Sequence, residues 1–186
     1  MYRDKFRKLG ARSMRDDVAD VAAAAVQLRD AVGEGLPETY LAILQDYRGA
    51  VVFERSVAYR PIQRSPFDRK DGTQGFEVLY GLGTGANSVI AALDTYRGRV
   101  PASALPIGEA PGGNQICLIL SGTKRGQVFF WDHDHERQIT GHDGNDFGNM
   151  YLIANDVEDF VARLGVQPEP SAGGGGIIES ESWLDI

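Results

Sequence analysis

The spacing of apolar residues changes several times along this chain, and each change marks an expected element. Val18, Val21, Ala22, Ala25, Val26 and Val32 recur at helical intervals, from Asp16 and Asp17, whose charges suit a helix N-terminus, to Gly33, which stops the run. A second helix should follow at once. Pro37 fits a first helical turn, Glu38 favours the helix dipole, and Tyr40, Leu41, Leu44 and Tyr47 form an apolar stripe that ends near Gly49. From Val51 the period shortens. Val51-Val52-Phe53 with Val57 and Tyr59, and later Phe76 to Tyr80, read as strands separated by a polar turn from Pro66 to Gly75. A short helix is expected over residues 87–97, leading into an extended passage at Pro101 and Pro106 that does not read as a strand. Gln115 to Leu120 and Gln127 to Trp131 are the strongest strand signals, and Ser121 to Gly126 should join them as an antiparallel hairpin. After a polar, Gly-rich loop from Thr140 to Asn149, Ala154-Asn155-Asp156 suit a capped helix start. Val157, Phe160, Val161 and Leu164 give that last helix its buried face.

Helices come first, strands dominate the middle and a helix closes. That order indicates an α+β fold with a mixed, mainly antiparallel sheet flanked by helices, and not alternating βαβ units. The 186 residues suit one domain with a single core. Three parts are expected: a basic, aperiodic, frayed arm over residues 1–15, the α+β domain over 16–168, and a Gly-rich acidic tail over 169–186.

Charge sharpens this division. The first fifteen residues carry six basic side chains against Asp4 alone, whereas the whole chain has a net charge of −7, so the body is markedly acidic. From residue 130 onward, twelve Asp or Glu stand against Arg137 and Arg163. Such a field repels nucleic acid and speeds encounter with basic partners. No stretch approaches the ~20 apolar residues needed to cross a bilayer, so neither a membrane nor a secreted location is expected. Cys117 is the only cysteine and lies between Ile116 and Leu118, which suits a buried structural thiol in a reducing, cytoplasmic compartment.

Several stretches invite a chemical reading. Gly81-Leu82-Gly83-Thr84-Gly85-Ala86 formally fits a dinucleotide-binding glycine loop, but the passage that follows lacks the second strand such a unit needs, so a plain strand-to-helix turn is expected. In Asp132-His133-Asp134-His135-Glu136, strand alternation would place His133 and His135 on one face. With His142, Asp143 or Asp146 they could begin a zinc site, against which stands a solvated strand end. A calcium loop starting at Asp143 fails, because Phe147 and Ala154 fall where oxygen ligands are required. There is no nucleophile elbow and no clear pairing of Ser or Cys with His. No catalytic residue, metal or cofactor is therefore assigned. An acidic cluster beside aromatic residues equally suits a protein-binding surface, and Trp131, Asp132, Asp134, Glu136, Asp143 and Asp146 are its candidate contacts.

Four segments in order, and a fifth after them, resemble the SUKH immunity superfamily, the Smi/Knr-type domain. They are Leu36-Pro37-Glu38-Thr39-Tyr40 with Tyr47 and Gly49; Leu105-Pro106-Ile107-Gly108; Gly112-Gly113-Asn114-Gln115-Ile116; Gly126 through Trp131-Asp132-His133; and the closing Ala154 to Phe160. The resemblance spans residues 36 to 164. It implies a SUKH-like single domain that works by binding, since the superfamily includes bacterial immunity proteins that neutralise toxins and fungal cell-wall regulators. The function it implies is non-enzymatic neutralisation of a cognate toxin, and the net charge of −7 points to a basic, nuclease-like one. The alternatives are a regulatory or scaffold module and, further off, a metal-dependent hydrolase using His133, His135 and His142.

Overall fold

The computed structural model describes residues 2–14, 18, 20–33, 35–135 and 147–167. Strands β1 (Ala11–Ser13), β2 (Val51–Tyr59), β3 (Gln74–Leu79), β4 (Ala104–Ala110), β5 (Asn114–Ile119), β6 (Val128–Trp131) and β7 (Met150–Ala154) lie side by side in chain order. Every neighbouring pair is antiparallel. A short β8 (Gly165–Val166) pairs with β2 beyond the end of β1. Helices α1 (Tyr2–Lys8), α2 (Val21–Val32), α3 (Glu38–Tyr47), α4 (Val89–Thr95) and α5 (Val157–Arg163) complete the α+β arrangement the sequence indicates.

The local chemistry accounts for the helix ends. Asp20 caps α2 by accepting from the Ala23 amide, Ser88 caps α4 through Ala91, and Asp156 caps α5 through Asp159. Each cap satisfies an amide that the helix leaves unpaired. The first predicted helix thus begins at Val21, later than the acidic pair at 16 and 17 suggested, and ends before Gly33 with its φ of 74°.

Alternation along β4, β5 and β6 divides two cores. Leu105, Ile107, Ile116, Leu118, Val128 and Phe130 face the main one, which Leu28, Tyr40, Ile43, Leu44, Phe160 and Val161 complete from the helices. Ala104, Cys117, Ile119, Phe129 and Trp131 face a smaller one with Val100 and Met150. Burying one such aliphatic or aromatic side chain stabilises the fold by about 1.5–3 kcal/mol. At the far edge, the loop after β2 covers β7: the Gln63 amide donates to Leu152 O at 2.8 Å, and the Phe67 and Phe130 rings lie 5.3 Å apart. At Leu152 the edge strand is thereby engaged by the loop, since the Leu152 amide also donates to the Gln63 side chain at 3.1 Å.

Three expectations need correction. Residues 2–13 are no frayed arm: Phe6 and Leu9 are buried, β1 pairs with Val51 to Phe53, and Arg3 and Tyr2 both bond Asp46 of α3. The passage around Pro106 is a strand in mid-sheet. Proline is tolerated there because the β4–β5 register slips between Pro106 and Gly108. Finally, β6 ends at Trp131, so His133 and His135 do not alternate along a strand.

A buried carboxylate shapes the acidic turn after β6

The chain leaves β6 through Asp132, which is only 1% exposed. Its backbone is clamped by Asn149: the Asp132 amide donates to Asn149 O at 3.0 Å, and Asn149 Nδ2 donates to Asp132 O at 2.7 Å. The Asp132 carboxylate accepts from the amides of Asp134 and His135 at 3.0 and 3.3 Å and lies 2.7 Å from His135 Nδ1. An aspartate that folds its own downstream backbone in this way defines a tight turn. A buried carboxylate is tolerated because these donors replace its water. The turn presents Asp134 and His135 to solvent.

The end of β5 supports this turn. Asn114 Oδ1 accepts from the His133 amide at 3.1 Å, and Asn114 Nδ2 donates to Pro111 O at 3.0 Å. The His133 ring lies beside Gly113, whose φ of 80° suits glycine. Gln115, fully buried, accepts from the Tyr80 hydroxyl at 2.8 Å and donates to the Tyr96 hydroxyl and to Gly113 O, both at 2.9 Å. Burial pushes the Tyr80 hydroxyl well above its ordinary range, with Glu109 adding to it, so the phenol remains a donor.

Trp131 does not belong to the exposed contact set. It is fully buried, edge-on to Tyr96 at 5.6 Å, with Arg99 lying 5.5 Å over its ring. Gln115 and Trp131 are direct partners across β5 and β6, so they share the smaller core's face, and the large indole fills it. Asp132 is likewise interior. Of the six candidate contacts, Asp134 alone is described and exposed, while Glu136, Asp143 and Asp146, together with His142, lie outside the described residues. Asn114, Gln115 and Asn149 were missed as organisers of the turn. Their signal was polar amides set inside or beside apolar strands, where a buried amide must find partners.

His133 and His135 are engaged separately, one on Asn114 and the other on Asp132. Among the described residues no group of three or more His, Cys, Asp or Glu is placed to hold a metal ion. Cys117 is fully buried, and burial pushes its thiol far up, away from the reactive thiolate. The glycine loop after β3 is a packing turn. Gly81 NH bonds Asn87 O and Leu82 NH bonds Arg48 O, and β4, which follows α4, runs antiparallel to β3 instead of parallel as a dinucleotide unit requires. No helix among the described residues is long and apolar enough to cross a membrane.

Residues 23–163 match the family model described as the SMI1 / KNR4 family (SUKH-1). The chain is also 36% identical over 146 residues to the SPbeta prophage-derived uncharacterized protein YokK of Bacillus subtilis (strain 168), covering 74% of this chain and 70% of that protein. The family match takes in the α3 entry at Pro37, and also the Gly112-Gly113-Asn114 turn and the Trp131-Asp132-His133 strand end, which Asn114 joins through the His133 amide. On that agreement of sequence and architecture, the chain belongs to the SMI1/KNR4 (SUKH-1) family.

Proposed function

We propose that this protein is a non-enzymatic immunity protein that binds a cognate toxin and blocks its working surface, the toxin being a basic, nuclease-like enzyme. One observation carries the proposal: in a chain of this family, negative charge is concentrated beyond residue 130, and the first exposed acid there, Asp134, stands on a turn locked by buried hydrogen bonds. A rigid acidic projection suits a surface that evolved to hold phosphate, because both the charge and the geometry compete with nucleic acid. The prophage origin in the relative's name accords with a gene carried for conflict between cells. Family membership and the inert setting of Cys117 support binding over turnover.

The test is kinetic. Against a basic partner, association should slow more than about tenfold as salt rises from low to high ionic strength, while dissociation changes little. Replacing Asp134, Glu136, Asp143 and Asp146 together by lysine should slow association comparably at low salt. Asp94→Lys, a charge change on the exposed side of α4, should leave the low-salt rate near that of the parent. A salt-insensitive association rate would exclude steering by this face.

A further inference from the structure

Asp132 carries the one buried carboxylate among the described residues, and its two oxygens have different tasks. Oδ1 takes the amides of Asp134 and His135, whereas Oδ2 lies 2.7 Å from His135 Nδ1. With N–H groups converging on it, this carboxylate acts as an acceptor. The proton of a neutral His135 ring therefore belongs on Nδ1, and the lone pair on Nε2. Nε2 lies on the side of the ring away from Asp132, the side chain is 75% exposed, and no described residue bonds that nitrogen.

His133 is not equivalent. Its Nδ1 lies 3.2 Å from Asn114 Oδ1 and its Nε2 3.3 Å from Asp134 Oδ1, so both ring nitrogens face acceptors and neither lone pair is offered outward. Asp134 still stands largely in solvent. The turn thus presents one fixed lone pair next to one exposed carboxylate.

We propose that His135 is a further contact residue of this turn: its Nε2 accepts a hydrogen bond from a lysine or arginine of the partner, with Asp134 supplying charge beside it. The inference rests on the basic partner proposed above. Asp132 is the positioning residue, because it fixes the tautomer from the interior without touching the partner. A metal ion would also take an imidazole lone pair, but it needs several protein ligands at one point, and the described residues place no such group. A cationic donor needs only an acceptor and a neighbouring charge. Encounter and grip are then separable, since the acids of the whole region set the association rate while this hydrogen bond acts on dissociation. The lone pair exists only in the neutral ring, so the grip is full above the range in which imidazoles titrate and is lost as pH falls through it. The titratable groups of the turn are Asp132, Asp134 and His133, and β5 brings the uncharged Asn114 against it.

The experiment has two arms. In the free full-length chain at about pH 8, nitrogen NMR spectra of the histidine rings should show His135 protonated at Nδ1 and bare at Nε2. Asp132→Asn should reverse this, because the new amide keeps an oxygen for the backbone and turns an N–H toward the ring. The second arm follows binding of purified basic nucleases, chosen from the products of genes neighbouring this protein's own, at about pH 8 and about pH 5.5. The parent complex should dissociate about tenfold faster, or more, at the lower pH. At the higher pH His135→Ala should associate as the parent does but dissociate about tenfold faster, and it should change less than about threefold between the two conditions. His135 is exposed, so His135→Ala carries the test even where Asp132→Asn fails to fold. A parent and His135→Ala that dissociate alike, or that share one pH dependence, would overturn this contact and leave the basic partner standing. A parent ring bare at Nδ1 would overturn it as well. If no such nuclease bound the parent at either pH, the basic partner itself would fall, and this contact with it.

Discussion

Replacing Gly81 by alanine is expected to destabilise this protein severely. A Cβ at that position would stand 2.1 Å from the carbonyl carbon of Gly49, 2.4 Å from the Ala50 nitrogen and 2.5 Å from the Gly49 oxygen, all of them backbone atoms. No rotamer change relieves such a clash. The strand exit and the end of α3 would have to separate, straining the Leu82 to Arg48 hydrogen bond of 2.6 Å and the Val51 to Leu79 register beside it. We expect a loss of about 4–5 kcal/mol or more, a large share of the ~5–15 kcal/mol that holds a typical domain together. Soluble yield and urea denaturation followed by circular dichroism will read this. Gly122→Ala is the control: its φ of 78° disfavours alanine, but nothing lies within 4 Å, so a cost of only about 1–2 kcal/mol is expected. A Gly81→Ala protein as stable as Gly122→Ala would contradict the close packing of α3 on the sheet.

Trp131→Ala carries the second large effect, on stability. The indole is fully buried in the smaller core against Tyr96, Phe129 and Met150, with Arg99 over its face. Truncation leaves a cavity and removes the ring contacts, at a cost of about 3–5 kcal/mol. Trp131→Phe should cost less, because it keeps a ring there and deletes an indole N–H that has no partner among the described residues. A urea midpoint that falls sharply in Trp131→Ala and modestly in Trp131→Phe is the expected pattern. If Trp131→Ala weakened partner binding with no change in midpoint, the side chain would be a contact residue after all.

The sequence carried much of the architecture, for reasons visible in particular residues. The hairpin from β5 to β6 was legible because apolar runs are bounded by turn residues, and α5 because Asp156 precedes a clean helical stripe. The N-terminal element was hidden. Tyr2, Phe6 and Leu9 have helical spacing, but six basic side chains among the first fifteen residues mask it, and a helix this short forms only because Phe6 packs on Tyr47 and Phe53. β4 was misread because Pro106 argues against a central strand unless a register slip is known. At the site, alternation was extended past Trp131, where a buried Asp132 turns the chain instead. A side chain that caps backbone amides has no periodic signature, so the interior roles of Asp132 and Asn114 became legible only with the structure.

The central claim is that the protein acts by occupying another protein's surface. It is tested most directly by titrating the purified chain into an activity assay of a purified candidate toxin, a basic nuclease chosen from the products of genes neighbouring its own. Inhibition that rises linearly to completeness near one equivalent, and reverses when salt separates the pair, is the predicted result. Loss of toxin activity at a small fraction of an equivalent, continuing with time, would mean turnover by this protein and would contradict the account.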